Sequence, residues 1–534
     1  MGVICLAHMD ASQPITTNDT LPDDVATLKQ LVASRDEMIA RLMAEIARLK
    51  RWQYGRKSER MSELMGQLQL ALGDLPILPA APAPSAESAT VPLNESTEDA
   101  PVGDQKVLPF RRKARQFPAH LPRETVVHAP SSCDCPECGT PMRPLGEDVS
   151  EVLDFLPSFF KVIRHVRPKL ACGHCARVVQ QPAPSRPIAR GMAGPGLLAQ
   201  VVVAKYADHC PLYRQAGIYR RSGVELDRAT LAAWVGEAAN LLHPLANAIS
   251  RYVLQAGKIH TDDTPVPVLD PGRGKTRTGR LWTYVRDDRP AGSRAPPAVW
   301  YCYSPDRKGE RPRLHLQGYA GILQADGYSG YEALYADGRI LEAACWAHVR
   351  RKFYDLLQLE PSPIATEAIR RIGQLYGIER ALRGQLPAER RAVRQERSVP
   401  LAAELRGWLE GVLVQLSAKS GLAKAIHYAL VRWVALTRFC DDGAIEIDNN
   451  TAERAIRPLV MGRKNYLFQG SDRGGKSAAA IYTLIGTARL NDIEPFAYLR
   501  AVFECIADHP INRIDELLPW RLDLARSESL RQAA

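Results

Sequence analysis

No apolar run in this 534-residue chain approaches the length of a bilayer-spanning helix, so a helical membrane protein is excluded and no membrane partner is expected. The opening stretch, MGVICLAHMD, is too short and too acidic at its end for a secretory signal; the expectation is a soluble intracellular protein. Negative charge is in deficit. Against 70 basic residues stand 59 acidic ones, which leaves a net charge of +11 and a pI of about 9.1. An anionic partner follows, with nucleic acid the first to consider. Cysteine is plentiful by contrast. Several of the 11 cysteines fall in close pairs, which in a reducing compartment points to metal and away from disulfides. The length is too great for one core, so several domains are expected.

The stretch that organises the rest is EIDNNTAERAIRPLVMGRKNYLFQGSDRGG, from Glu446 to Gly475. It opens with Asp448, Asn449 and Asn450, whose short side chains accept hydrogen bonds from the free N–H groups of a helix start. A helix-forming run follows, with Glu453 in its first turn. Behind it come Arg454, Arg457, Arg463 and Lys464, then Gly470, Gly474 and Gly475. One acid on a fixed helical turn beside a field of cations suits chemistry on a polyanion. A capped helix with a solvated basic face is the competing reading.

Residues 21–60 read as a leucine-zipper-like coiled coil. Val25, Val32, Ile39 and Ile46 share one heptad position; Leu28, Arg35, Leu42 and Leu49 share the position three further on. β-Branched residues at a with Leu at d favour a parallel two-stranded coil. An amphipathic helix packed on its own core is the alternative. A basic extension carries Arg51, Arg56, Lys57 and Arg60 around Trp52 and Tyr54. Residues 71–118, rich in Pro, Ala and Ser, form a linker expected to be disordered. It ends in Arg111, Arg112, Lys113 and Arg115.

A zinc-binding domain is expected over 119–185. Cys135 and Cys138 form one CxxC knuckle, Cys172 and Cys175 a second, with 33 residues between them. Four thiolates at that separation suit one structural Zn²⁺ in a ribbon, and the intervening residues read as two strands. Such a closed site positions a partner and leaves no coordination position for catalysis. Paired free cysteines are the alternative; Cys133 and His174 are set aside. Residues 190–245 read as a helical DNA-binding domain, in which a short helix, a turn at Gly223 and a helix capped near Asp227 fit a helix-turn-helix. Arg220, Arg221 and Arg228 would then lie near a DNA backbone, although a generic helical hairpin has the same spacing.

From Lys258 the pattern changes to strands. KIHTDDTPVPVL, RLWTYVRDD and AVWYCYSPDR precede a short helix near Arg313–Tyr319 and a fourth strand that runs to Asp326. This order matches the opening of an RNase H-like α/β core, expected over 255–480 with an all-helical insertion at 342–440. A helical C-terminal domain, 481–534, completes a multidomain α+β chain. In such a core, carboxylates from the first strand, the fourth strand and a later helix converge. Three of them can hold two divalent metals about 4 Å apart. Asp and Glu oxygens suit Mg²⁺ or Mn²⁺.

The segments IHTDDTPVPVLDPG, LQADGYSGY, CWAHVRRKF and IDNNTAERAIRPLVMGRKNYLFQGSDRGG resemble those of the large transposase of the IS66 family of bacterial insertion sequences. The C-terminal RLNDIEPFAYLRAVFECIADHPINRIDELLPW, the zipper and the two knuckles extend the resemblance over nearly the whole chain outside the linker. It implies DDE-type DNA transposition in the bacterial cytoplasm, at the nucleoid. Hydrolysis at the transposon end is followed by strand transfer from the freed 3′-hydroxyl. The implied triad is Asp262, Asp326 and Glu453, holding two Mg²⁺ or Mn²⁺ ions. The family motif has an acid at both 262 and 263, and Asp262 is taken as the ligand because the first is the one assigned in the family. Strand alternation does not decide between them, since Pro265 and Pro267 are expected to disturb the strand. Asn449 and Asn450 would orient the helix that bears Glu453, and Arg454, Arg457, Arg463 and Lys464 would hold phosphates. His348 either packs structurally beside Trp346, the favoured reading, or steers the scissile phosphate. The partners implied are terminal inverted repeats, target DNA, a second copy of the chain and small accessory proteins of the same element. A DNA-binding regulator or silent remnant, and a nuclease without strand transfer, are the alternatives.

Overall fold

The structure, a computed structural model, describes residues 117–524 except 118, 120, 130–132, 135–139, 157–158, 176 and 190. The coiled coil expected over 21–60 and the linker expected over 71–118, but for Phe117, lie outside the described residues, as do Cys135 and Cys138. What is described is a mixed α+β chain with two sheets.

The first sheet contains β1 (Arg123–Val127), β2 (Met142–Leu156), β3 (Phe159–Cys172) and β4 (Val178–Gln180). β2 and β3 are the two strands expected between the knuckles, paired antiparallel from Leu156↔Phe159 to Met142↔Cys172. β1 runs parallel to β3 and β4 antiparallel to it. Alternation along β3 turns Phe160, Val162 and Val166 inward. The sheet is joined to the helices by Asp154. Its Oδ1 accepts the N–H of Leu197 at 2.9 Å, in the first turn of α1 (Pro195–Tyr206), where a carboxylate complements the helix dipole. Gly194 and Gly196 permit that approach, since a Cβ on Gly196 would meet Asp154 Oδ1 at 2.7 Å.

α1 is followed by α2 (Leu212–Arg221) and α3 (Arg228–Leu254). The turn between them uses Gly223 at φ +76°, and Asp227 stands at the N-cap of α3. Arg220 and Arg221 end α2, Arg228 begins α3, and all three are exposed.

The second sheet has the order β7-β6-β5-β8-β9. β5 (Lys258–Val268), β6 (Arg277–Arg286) and β7 (Ala298–Ser304) form an antiparallel meander. After α4 (Glu310–His315), β8 (Gly321–Gln324) pairs parallel with β5; α5 (Glu332–Tyr335) then leads to β9 (Ile340–Ala343), parallel to β8. The sequence reading missed β9. It is four residues long, too short to show a period, and it abuts helix-forming residues.

The prolines of β5 do not disturb it, contrary to expectation. β8 pairs only with Lys258–His260, so beyond that point one edge of β5 has no strand neighbour. The carbonyls of Pro265 and Pro267 point to that edge, where they accept from Arg463 Nη1 and, at 2.8 Å, from the Gln469 N–H. The N–H groups that proline lacks are therefore ones that no ladder needed.

Helices α6 (Trp346–Leu359), α7 (Pro363–Leu382), α8 (Pro387–Val393), α9 (Val399–Leu413), α10 (Gly421–Val431) and α11 (Trp433–Asp441) form the insertion. They pack around Trp346, Phe353, Ile372, Leu405, Ile426, Trp433 and Phe439. Buried Arg394 forks onto Glu379, with Nε–Oε1 at 2.8 Å and Nη2–Oε2 at 2.5 Å. Then come α12 (Asn450–Asn465), α13 (Asp472–Leu490) and α14 (Pro495–Cys505).

Two of the boundaries expected from sequence, at 245 and at 480, fall inside continuous helices. α3 runs through 245, and α13 runs through 480. Both helices lie against β7, the edge of the second sheet, and against each other. Thr483 and Thr487 of α13 accept the N–H groups of Tyr301 and Val299 at 3.0 and 3.2 Å. One core holds Leu153 of the first sheet, Leu242 of α3, Trp282 of the second, Ile481 of α13 and Leu499 of α14. The C-terminal helices thus pack into this core.

Candidate functional site

Asp262 and Asp263 are neighbours on β5, so their side chains leave opposite faces of the strand. Asp263 is almost wholly buried, its side chain 2% exposed, between two guanidinium groups. Arg280 Nη1 reaches Oδ2 at 2.9 Å, and Arg307 reaches Oδ1 with Nη2 at 2.8 Å and Nε at 3.0 Å. Burial still pushes the Asp263 carboxyl upward, against both arginines. Asp262 has the opposite company. Burial raises its carboxyl well above the usual range, and the negative charges of Asp326, Asp263 and Glu453 raise it further. One bond opposes this, from the Asp263 N–H to Asp262 Oδ1 at 2.7 Å.

Asp326 lies two residues past the end of β8, and its Oδ1 accepts the Tyr328 N–H at 3.2 Å. Glu453 is in the first turn of α12. Asn449, the N-cap residue of α12, is fully buried and spans from helix to strand. Its Nδ2 donates to the Thr261 carbonyl at 2.7 Å, and its Oδ1 lies 3.1 Å from His260 Nδ1. Thr261 adjoins Asp262 along β5, and His260 is two residues before it. Asn450 folds back onto Asp448, donating from its backbone N at 3.0 Å and from Nδ2 at 2.9 Å. Burial pushes Asp448 up to about 6.

The charges of Asp326 and Glu453 therefore reach Asp262. The tightest group of potential metal ligands is a different one. Among the described residues, the one set of three His, Cys or carboxylate atoms within 4.8 Å of one another is Cys345, His348 and Glu453. His348 Nε2 stands 3.8 Å from Glu453 Oε1, with side chains 25% and 20% exposed. His348 thus faces the third acid, while Trp346 turns into the helical core. Cys345, the N-cap residue of α6, was not singled out from sequence, although its Cys-x-x-His spacing to His348 is visible there. Arg280 and Arg307 were missed as well, since nothing local in the chain links them to Asp263.

Of the cations expected to meet phosphate, Arg454, Arg457 and Lys464 are exposed on α12. Arg463 is half-buried and ties α12 to β5 at Pro265. At the first sheet, Met142 pairs with Cys172 and donates its N–H to the Cys133 carbonyl at 2.9 Å. The chain on either side of the first knuckle is thereby held next to Cys172. Among the described residues no helix is long and apolar enough to cross a membrane.

Fold and site describe a mixed α+β chain with Asp262 on the first strand of a five-stranded sheet, Asp326 just past the fourth, and Glu453 with exposed cations on a later helix. Comparison with known proteins carries this further. The profile described as Transposase IS66 family matches residues 190–477, and the IS66 C-terminal element matches 483–520. The zinc-finger binding domain of transposase IS66 matches 132–176, and the profile described as Transposase C of IS166 homeodomain matches 41–126. Two relatives come from Sinorhizobium fredii. Uncharacterized protein y4hP is 41% identical over 517 residues, covering 93% of this chain and 91% of its own. Uncharacterized protein y4jD is 37% identical over 531 residues, covering 97% and 99%. The likeness therefore spans zinc finger, central sheet and C-terminal helices together. The chain belongs to the IS66 transposase family, and that membership suggests an enzyme of DNA transposition with DNA as its partner.

Proposed function

We propose that the protein is a DDE transposase: it cuts DNA at the ends of its own element in a divalent-metal-dependent reaction and joins the freed 3′-hydroxyl to target DNA. The observation that carries this reading is the contrast between the two aspartates of β5. Asp263 is held between two arginines, whereas the Asp262 carboxyl is raised by burial and by the negative charges of Asp326, Asp263 and Glu453. A structural ion pair needs only the first arrangement. Like charges pressed against a buried carboxyl call for a cation. The RNase H-like reading draws support from three antiparallel strands followed by two parallel ones, with the acids on the first strand, just past the fourth, and on a later helix.

The donor set fits the metals expected. Asp262, Asp326 and Glu453 offer only oxygen, as Mg²⁺ and Mn²⁺ prefer, and these residues would hold the two ions. When bound, such ions supply Lewis acidity at a phosphate and a more acidic attacking hydroxyl. The protein's part is positioning. Asn449 holds the first turn of α12 against β5, which sets Glu453 relative to Asp262. Arg454, Arg457 and Lys464 would grip phosphates along the same helix. Cys135, Cys138, Cys172 and Cys175 would hold one Zn²⁺. That module, with Arg220, Arg221 and Arg228, would contact the terminal repeats, and the zipper would pair two protomers.

The test is nicking of a labelled DNA carrying the element's terminal repeat, with Mg²⁺ or Mn²⁺, by wild type and by Glu453→Gln. Nicking at the repeat boundary by wild type alone supports the reading. Specific binding without nicking, persisting after the element's small accessory proteins are added, makes the protein a DNA-binding regulator instead.

A further inference from the structure

Cys345, His348 and Glu453 bring a sulfur, an imidazole nitrogen and a carboxylate oxygen within 4.8 Å of one another. Oxygen-preferring Mg²⁺ has no use for a thiol. We propose that these three residues form a separate site for a thiophilic divalent cation of the zinc class, sharing Glu453 with the acidic triad, so that the two kinds of metal compete for one carboxylate.

The donor set argues first. Sulfur, nitrogen and oxygen together match a borderline-soft ion, and three protein ligands leave a fourth tetrahedral position open. The scaffold argues next. Cys345 and His348 are three apart at the start of α6, one turn of helix, and so project to the same side. Glu453 comes from the start of α12. The two helix starts are stapled together: the Trp346 N–H donates to the Ile447 carbonyl at 3.1 Å, and the Asn449 N–H donates to Cys345 Sγ at 3.2 Å. An N–H directed at sulfur is the outer-shell support that a metal-bound thiolate uses. Unmet bonding argues last. His348 Nε2 is 3.8 Å from Glu453 Oε1, beyond hydrogen-bond reach. A cation between imidazole and carboxylate would satisfy both groups. On binding, the Cys345 thiol gives up its proton to solvent and the sulfur becomes a ligand.

Binding at this site does not depend on the transposase reading; its effect on cleavage does. The experiment therefore has two readouts. Full-length protein with its zinc ribbon already loaded is titrated with Co²⁺, followed by thiolate-to-cobalt absorption, in wild type, Cys345→Ser and His348→Gln. The ribbon is common to all three, so differences between them report this site. Wild type should take up one cobalt equivalent with a thiolate band that Cys345→Ser lacks and that His348→Gln binds at least tenfold more weakly. Excess Mg²⁺ should shift the wild-type midpoint upward. Identical titrations of wild type and both variants would overturn the proposal. His348→Gln alters a partly exposed side chain and carries the test alone should Cys345→Ser fail to fold. In the second readout, micromolar Zn²⁺ should depress Mg²⁺-supported nicking more in wild type than in Cys345→Ser. A cobalt site confirmed in a protein that nicks under no metal would leave the site standing and remove the transposase reading.

Discussion

Adjacent residues of one strand can be given opposite work by what faces them. Asp263 is the structural member of its pair: removing its carboxylate leaves Arg280 and Arg307 with no counter-charge in a buried setting. Asp263→Ala should cost about 3 kcal/mol in urea denaturation. A loss below about 1 kcal/mol would mean that water already screens the pair. Asp326→Ala should behave otherwise, abolishing nicking while terminal-repeat binding and the melting temperature stay near wild type. Parallel loss of binding would assign Asp326 to the fold. His260, fully buried behind Asp262, sets a pH dependence. Burial lowers its imidazole from 6.5 to about 3, so the folded protein refuses a proton that the unfolded chain accepts below pH 6.5. The stability tied to the neutral ring is complete above pH 6.5 and is lost as pH falls toward 3. Replacing His260 with Gln should flatten this acid limb by up to about 1.4 kcal/mol per pH unit, measured by denaturation at several pH values. An unchanged slope would place the acid sensitivity elsewhere.

At the scale of elements, α13 acts as a sixth neighbour to the sheet. The Thr487 hydroxyl accepts the Val299 N–H and donates to the Val299 carbonyl at 3.1 Å, which is what a partner strand would do. Thr487→Val keeps the shape and removes both bonds, so it should cost about 2 kcal/mol by thermal denaturation. A neutral result would show that water reaches β7. Such pairings also mark where sequence stops being informative. The strand-strand-strand-helix-strand run from Lys258 to Asp326 was legible, because each piece carries its own turn and composition signals. Glu453 in the first turn of a capped helix was legible for the same reason. The continuity of α13 through residue 480 was not. Nothing in GGKSAAAIYTLIGT says that its two threonines bond a strand more than 180 residues earlier. The two arginines on Asp263, the strand partners of Asn449 and the four-residue β9 were hidden likewise, since each exists only through contacts distant in the chain. The prolines misled because their cost depends on whether a neighbour strand is present, and the sequence does not show which edge is open.

For the whole molecule, the proposed partners would be engaged by parts that lie apart in the chain. Replacing Cys135 and Cys172 with Ser should release zinc and weaken end-specific DNA binding, with metal content read by atomic absorption. Unchanged zinc stoichiometry would refute the ribbon. Leu42→Pro should turn dimers into monomers in sedimentation, and persistent dimers would put the interface outside the zipper. A copy of this chain truncated near residue 480 would lose the second half of α13. The N–H groups of Val299 and Tyr301 would lose their threonine partners, and β7 would become a bare strand edge, the kind of surface that recruits other chains. Such a fragment should aggregate and be cleared. It would not survive as a free DNA-binding competitor, so broken copies would fall silent without poisoning intact ones.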